Sequence, residues 1–230
     1  MYTEIPPPTR SEILRVHNAV SRYADDVTRT GKPKFTSLVE CRPPAQWLLS
    51  HDETNHHGSG HVAQLLVLGG SAYSFCTALG FHIDMEVQGW TSILHDIAQN
   101  GTSDSVPGHE QYAAGWARLN LEGVVSPGTL QKIIDAILLH TVTTSSIPSQ
   151  NHDALFFKTI DKLARVRLGE NISGMNLPIY QMEGHFGEYP DGYFYALAQN
   201  LHDLSTTMHS EDAHKDVLLA GRDLLLVWQL

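Results

Sequence analysis

Cysteine is nearly absent. Cys41 and Cys76 are the two in 230 residues, which rules out a disulfide framework and a Cys-rich zinc site. Long apolar runs are missing too: no stretch approaches the ~20 consecutive apolar residues of a membrane-spanning helix. Even so, 42% of the chain is hydrophobic, enough for one sizeable core. Positive charge is scarce, with 15 Lys and Arg against 25 Asp and Glu, a net charge of −10 with His neutral. That balance excludes general binding to nucleic-acid backbones. It leaves a small phosphorylated substrate open, because a bound cation reverses the sign locally. The opening Met1-Tyr2-Thr3-Glu4-Ile5-Pro6-Pro7-Pro8 lacks the basic and apolar regions of a secretory signal, so a cytoplasmic location is expected. Strand signals are almost wanting as well.

Helical signals fill the chain instead. Ser11 reads as an N-cap for an amphipathic helix running towards Val27. Residues 29–46, with Gly31, Pro33, Pro43 and Pro44, read as a connector, and Trp47-Leu48-Leu49 as a short packed turn. A buried helix is expected from His61 to about Leu79, weakened or bent at Gly69-Gly70. Further helices are expected over Val87–Ala98, from His109, from Ser126-Pro127 to His140, over Ala154–Leu168, Phe194–Leu204 and Asp212–Trp228. The expectation is an all-α fold and one domain over 1–230.

Histidine is in excess, 14 in all. Surface positions account for many of them, among which His202, His209 and His214 are expected. Others sit where apolar stripes begin or end. His61 opens a helix, His95-Asp96 closes the next, His109 opens another, His140 closes one, and Asp161 lies among Phe157, Ile160 and Leu163. Ligand sites in helical bundles are built from such facing side chains. A His-Asp pair near a helix end presents an imidazole nitrogen and a carboxylate oxygen, which suit Mn, Fe, Co, Ni, Mg or Zn. A solvated or capping role explains any one of these histidines equally well. A buried Asp161 needs a partner, and Lys162, Arg165, Arg167 or a cation qualify.

Five segments in order resemble the HD-domain metal-dependent phosphohydrolase superfamily over about residues 55–170. They are His57-Gly58-Ser59-Gly60-His61-Val62, Leu94-His95-Asp96-Ile97, Pro107-Gly108-His109-Glu110, Ile137-Leu138-Leu139-His140, and Lys158-Thr159-Ile160-Asp161-Lys162-Leu163-Ala164-Arg165-Val166-Arg167-Leu168-Gly169. The resemblance implies an HD helical bundle with its core at about 45–175 and extra terminal helices packed on it. It implies one or two divalent ions held by His61, His95, Asp96 and Asp161, with His109 and His140 completing a second position and Asp96 bridging. Gln99 and Gln64 depart from the basic residues common in the family.

The activity so implied is phosphoester hydrolysis, as a phosphomonoesterase or phosphodiesterase, by metal-activated water on a phosphorylated small molecule or nucleotide. Asp96 is placed in catalysis with Arg165 and Lys162 as phosphate clamps. Arg165 comes first because it lies one helical turn from Asp161, although an ordinary Asp161–Arg165 pair has the same spacing. His57, Lys158 and Arg167 are further candidates for substrate contact. A di-iron oxygenase of the same superfamily and a non-catalytic binding protein are the alternatives. The glycine- and aromatic-rich stretch 183–193 reads as a surface turn or a cover for the site, and the stripe from Val217 to Trp228 as core or a dimer face.

Overall fold

Nine α-helices and three short 3-10 turns make up the regular structure of the residues described in the computed structural model, which are 5–48, 57–97, 108–165, 177–181, 190–206 and 213–227. No strand occurs among them, as the all-α expectation required. No helix among them is long and apolar enough to cross a membrane.

Helix α1 (Arg10–Thr30) is capped by Thr9 rather than Ser11. The Thr9 hydroxyl accepts from the Glu12 N–H at 3.2 Å, and the Glu12 carboxylate accepts from the Thr9 N–H at 2.8 Å. This reciprocal pair satisfies two otherwise orphaned donors, which Ser11, with Leu14 three residues on, cannot do. The connector expected over 29–46 contains a short helix, α2 (Phe35–Glu40). The packed turn at Trp47 is a 3-10 turn whose indole is fully buried against Trp116, with ring centroids 4.9 Å apart.

Helix α3 (Ser59–Ala78) is the central rod, with every residue from 60 to 72 buried. A helix without a polar face must be covered on all sides. Here α1, α2, α4 (Met85–Leu94), α7 (His152–Ala164), α8 (Pro190–Thr206) and α9 (Ala213–Val227) surround it. Helix α3 runs unbroken through Gly69-Gly70, and the pair admits close neighbours instead of interrupting the helix. A Cβ on Gly70 would lie 2.8 Å from two carbons of the Pro33 ring, and one on Gly69 would lie 2.8 Å from the Gln88 amide nitrogen.

Gly70→Ala is accordingly expected to destabilise the protein. The rigid Pro33 ring makes this an overpacking change of about 1–3 kcal/mol, offset by less than about 1 kcal/mol of helix propensity. A lower urea midpoint at unchanged m-value would register it, and a raised midpoint would contradict the close approach.

The remaining helices aim their ends at one place. Helix α4 starts at the Asp84 cap, whose carboxylate accepts from the Glu86 and Val87 N–H groups, and ends at His95. Helices α5 (His109–Leu121) and α6 (Pro127–Leu139) pack together, α6 starting at the expected Ser126-Pro127 and ending at His140. Helix α7 starts at the Asn151 cap and packs on α6, α3 and α4. Lys132 bridges Asp84 and Asp153 at 3.4 and 3.1 Å, tying α6 to the starts of α4 and α7. One surface expectation is corrected. His214 is buried at the start of α9, with its Nδ1 3.0 Å from the Ser59 carbonyl, because α9 packs along α3. Gln99, Arg167, residues 183–189, His209 and Trp228 lie outside the described residues.

Candidate metal centre

The starts of α3 and α5 and the ends of α4, α6 and α7 bring six polar side chains together. His61 is in the first turn of α3, and His95 is the C-cap of α4 with Asp96 in the turn beyond. Gly108, at φ +81°, turns the chain so that His109 is the first residue of α5. Only glycine adopts that conformation without strain. His140 is the C-cap of α6, and Asp161 is in the last turn of α7. Apart from the half-buried Asp161, all are buried.

Asp96 faces both ways. Its Oδ2 lies 2.9 Å from His95 Nε2 and 3.7 Å from His61 Nε2, and those two nitrogens are 3.3 Å apart. Asp161 Oδ1 adds contacts of 3.3 Å to His61 and 3.8 Å to His95. The other oxygen, Oδ1, lies 3.4 Å from His109 Nε2 and 3.8 Å from His140 Nε2, which are 3.0 Å from each other. Ligand atoms about 2.1 Å from a common cation lie roughly 3.0–3.4 Å apart at tetrahedral or octahedral angles. Half of these separations match such an edge. Two groups, His61-His95-Asp96 and Asp96-His109-His140, can each hold a metal ion.

The outward nitrogens explain why Nε2 points inward. His95 Nδ1 is 3.2 Å from the Thr91 carbonyl, and His140 Nδ1 is 2.5 Å from the Ile137 carbonyl. Both carbonyls demand an N–H, so the proton sits on Nδ1. The Glu110 carboxylate, 3.3 Å from His109 Nδ1, favours the same tautomer there. His140 therefore turns its Nε2 lone pair towards His109 Nε2 across 3.0 Å. A proton on His109 Nε2 or a cation between the two nitrogens satisfies that contact, and the donor set fits a divalent metal.

The electrostatics agree. Burial, with the charge of His95 beside it, pushes the His140 pKa down to about 4, keeping the ring neutral as ligation requires. At His95 burial works the same way, but the Asp96 and Asp161 carboxylates outweigh it and raise the pKa. Burial alone would raise Asp96; His95 and His57 reverse this and hold it well below the usual carboxylate range. Asp161 is likewise lowered against burial, chiefly by the hydrogen bond from His61 and the charge of His95.

The other candidates are more spread out. His57 Nδ1 lies 2.7 Å from Asp96 Oδ2. Lys158 is buried and its ammonium donates to the His140 carbonyl, with burial lowering its pKa. Lys162 is half-buried on α7, and Arg165 is exposed at that helix's C-cap. Gln64 is buried in α3. Sequence reasoning passed over the roles of Phe157, whose ring packs edge-on against His95 at 5.0 Å, and of the Thr91 carbonyl. The four-residue spacing from Thr91 to His95 is the signal that could have found the latter. A separate cleft of about 700 Å³, between Arg29, Tyr73, Phe81 and Glu86 at the opposite end of α4, contains none of the clustered side chains. Comparison of the chain with protein-family models, curated proteins and solved structures found no match.

Proposed function

We propose that this chain is an HD-domain metal-dependent phosphohydrolase that hydrolyses a phosphoester bond in a small phosphorylated molecule or nucleotide. The observation that supports it is Asp96, a single buried carboxylate with one oxygen towards His61 and His95 and the other towards His109 and His140. Four imidazoles and two carboxylates at helix ends reproduce, in order, the ligand set that the sequence resemblance implies. His61, His95, Asp96 and Asp161 would hold one ion, and His109, His140 and the second oxygen of Asp96 another.

Divalent ions there supply Lewis acidity at a phosphoryl oxygen and an activated water near neutral pH. The protein's own part is positional. The Thr91 and Ile137 carbonyls lock two rings in the ligating tautomer. Phe157 limits solvent beside His95. The remaining phosphate charge would fall to Arg165 and Lys162 at the end of α7, with Lys158, whose ammonium also donates to the His140 carbonyl, as a further candidate.

The test is phosphate release from a panel of phosphomonoesters, phosphodiesters and nucleotides with Mn2+, Co2+, Ni2+, Mg2+ or Zn2+. Metal-dependent release that falls at least about 100-fold in His61→Ala, more than loss of an outer partner usually costs, is the expected result. Two equivalents of iron in the isolated protein, with oxygen consumption and no phosphate release, would replace hydrolysis with oxygenase chemistry. Activity indifferent to chelators and to His61→Ala would overturn both.

A further inference from the structure

We infer that His57 is a positioning residue that holds the Asp96 carboxylate in the orientation serving both metal positions; this rests on the metal-centre reading above. Asp96 lies in the turn beyond α4. A carboxylate that must point one oxygen at His61 and His95 and the other at His109 and His140 needs its plane set from outside. Four of the five imidazoles around it are themselves proposed ligands. His57 contacts Asp96 without belonging to either ligand group. Its Nδ1 lies 2.7 Å from Oδ2, the shortest contact Asp96 makes. Its ring stands 6.3 Å from that of His61, nearly perpendicular to it.

A carboxylate oxygen accepts more than one partner, so an N–H from His57 and a cation can share Oδ2. The link is also local in sequence. His57 precedes the Gly58 N-cap of α3, and His61 follows in the first turn. One helix start therefore supplies both a ligand and the donor that aims the shared carboxylate.

The two positions depend on this aim unequally. The first has Asp161 as a second carboxylate, whereas the second has two imidazoles and Asp96 Oδ1 alone. A rotated Asp96 therefore weakens the second position more. Loss of an outer-shell partner typically lowers metal affinity about 10–100-fold, and that loss is expected at the second ion.

The experiment uses the full chain stripped of metal and titrated with Mn2+ alone, read by calorimetry and electron paramagnetic resonance. The wild type is expected to bind two Mn2+ with an exchange-coupled spectrum. His57→Phe keeps the ring and lacks the donor. It is expected to keep the first Mn2+ and show the six-line signal of an isolated ion, its second affinity falling about 10–100-fold. His57→Asn, whose amide N–H stands near the place of Nδ1, is expected to restore coupling. Thermal unfolding of the metal-free variants separates this from misfolding, since a merely structural role would shift Tm and leave the spectrum coupled. Two tightly bound, coupled Mn2+ in folded His57→Phe would overturn the role of His57 alone. A wild type that binds no Mn2+ would overturn the metal centre and this inference with it.

Discussion

Asp96→Asn is expected to remove measurable binding of the second divalent ion and to weaken the first by at least about 100-fold. The amide keeps the size of the carboxylate and discards its charge. Position two loses its sole carboxylate oxygen and retains only the imidazoles of His109 and His140. Position one retains Asp161 with His61 and His95, and thus a residual affinity. The effect exceeds the 10–100-fold expected of an outer-shell partner because a ligand itself is altered. Metal-free stability should fall as well, since breaking a buried, hydrogen-bonded charge pair costs about 3–5 kcal/mol, and Asp96 is the main counter-charge of His95. Elemental analysis and calorimetric titration with Mn2+ read the first effect, and urea unfolding in chelator reads the second. Two ions bound at wild-type affinity would contradict the shared carboxylate.

The second large effect is thermal and depends on pH. At pH 7, Mn2+ at about 100 times its Kd adds about 2.7 kcal/mol for one site, or about 5–10 °C in Tm for a chain of this size; a chelator takes it away. That increment is expected to shrink between pH 7 and 5. Metal-bound imidazoles take up no proton, whereas the unfolded chain's histidines do so below about pH 6.5. Without metal, two rings oppose each other. His140, lowered to about 4, contributes stability that is present above about 6.5 and lost as the pH falls towards 4. His95, raised, contributes stability that is present below about 6.5 and lost as the pH rises through its folded value. The metal-free curve is therefore flatter than the metal-bound one. Because the raised pKa of His95 favours its protonated form, metal loading is expected to release protons, so the calorimetric enthalpy should vary with the ionisation enthalpy of the buffer. A Tm increment unchanged from pH 7.5 to 5 would rule out imidazole ligation.

Most of this centre was legible in the sequence because its members end apolar stripes. A His or Asp that follows a buried helical face is carried towards the core by the helix itself, as His95, His140 and Asp161 are. The helices around them were legible for the same reason, and Ser126-Pro127 marked a start that the structure keeps. What could not be read depends on neighbours distant in sequence. Gly69-Gly70 reads as a weak point until Pro33 and Gln88 are seen against it. His214 reads as surface until α9 is laid along α3. Helix α2 was hidden because Lys34 makes no side-chain cap and prolines flank the segment. Thr9 is a different case: its partner Glu12 stands three residues on, so the cap was readable and Ser11 was preferred in error.

The ligands' order along the chain has a consequence for when the centre can form. In the proposed centre the second position draws on Asp96, His109 and His140, and the first on His61, His95 and Asp96 with the later Asp161 beside them. During synthesis the His61-His95-Asp96 group is complete by residue 96 and the Asp96-His109-His140 group by residue 140, whereas Asp161 arrives only with α7. A nascent chain halted before Asp161 would carry both three-residue groups but lack the second carboxylate of the first. In the proposed centre the full set of carboxylates, and with it the tightest hold on a cation, would therefore come only after α7 is translated.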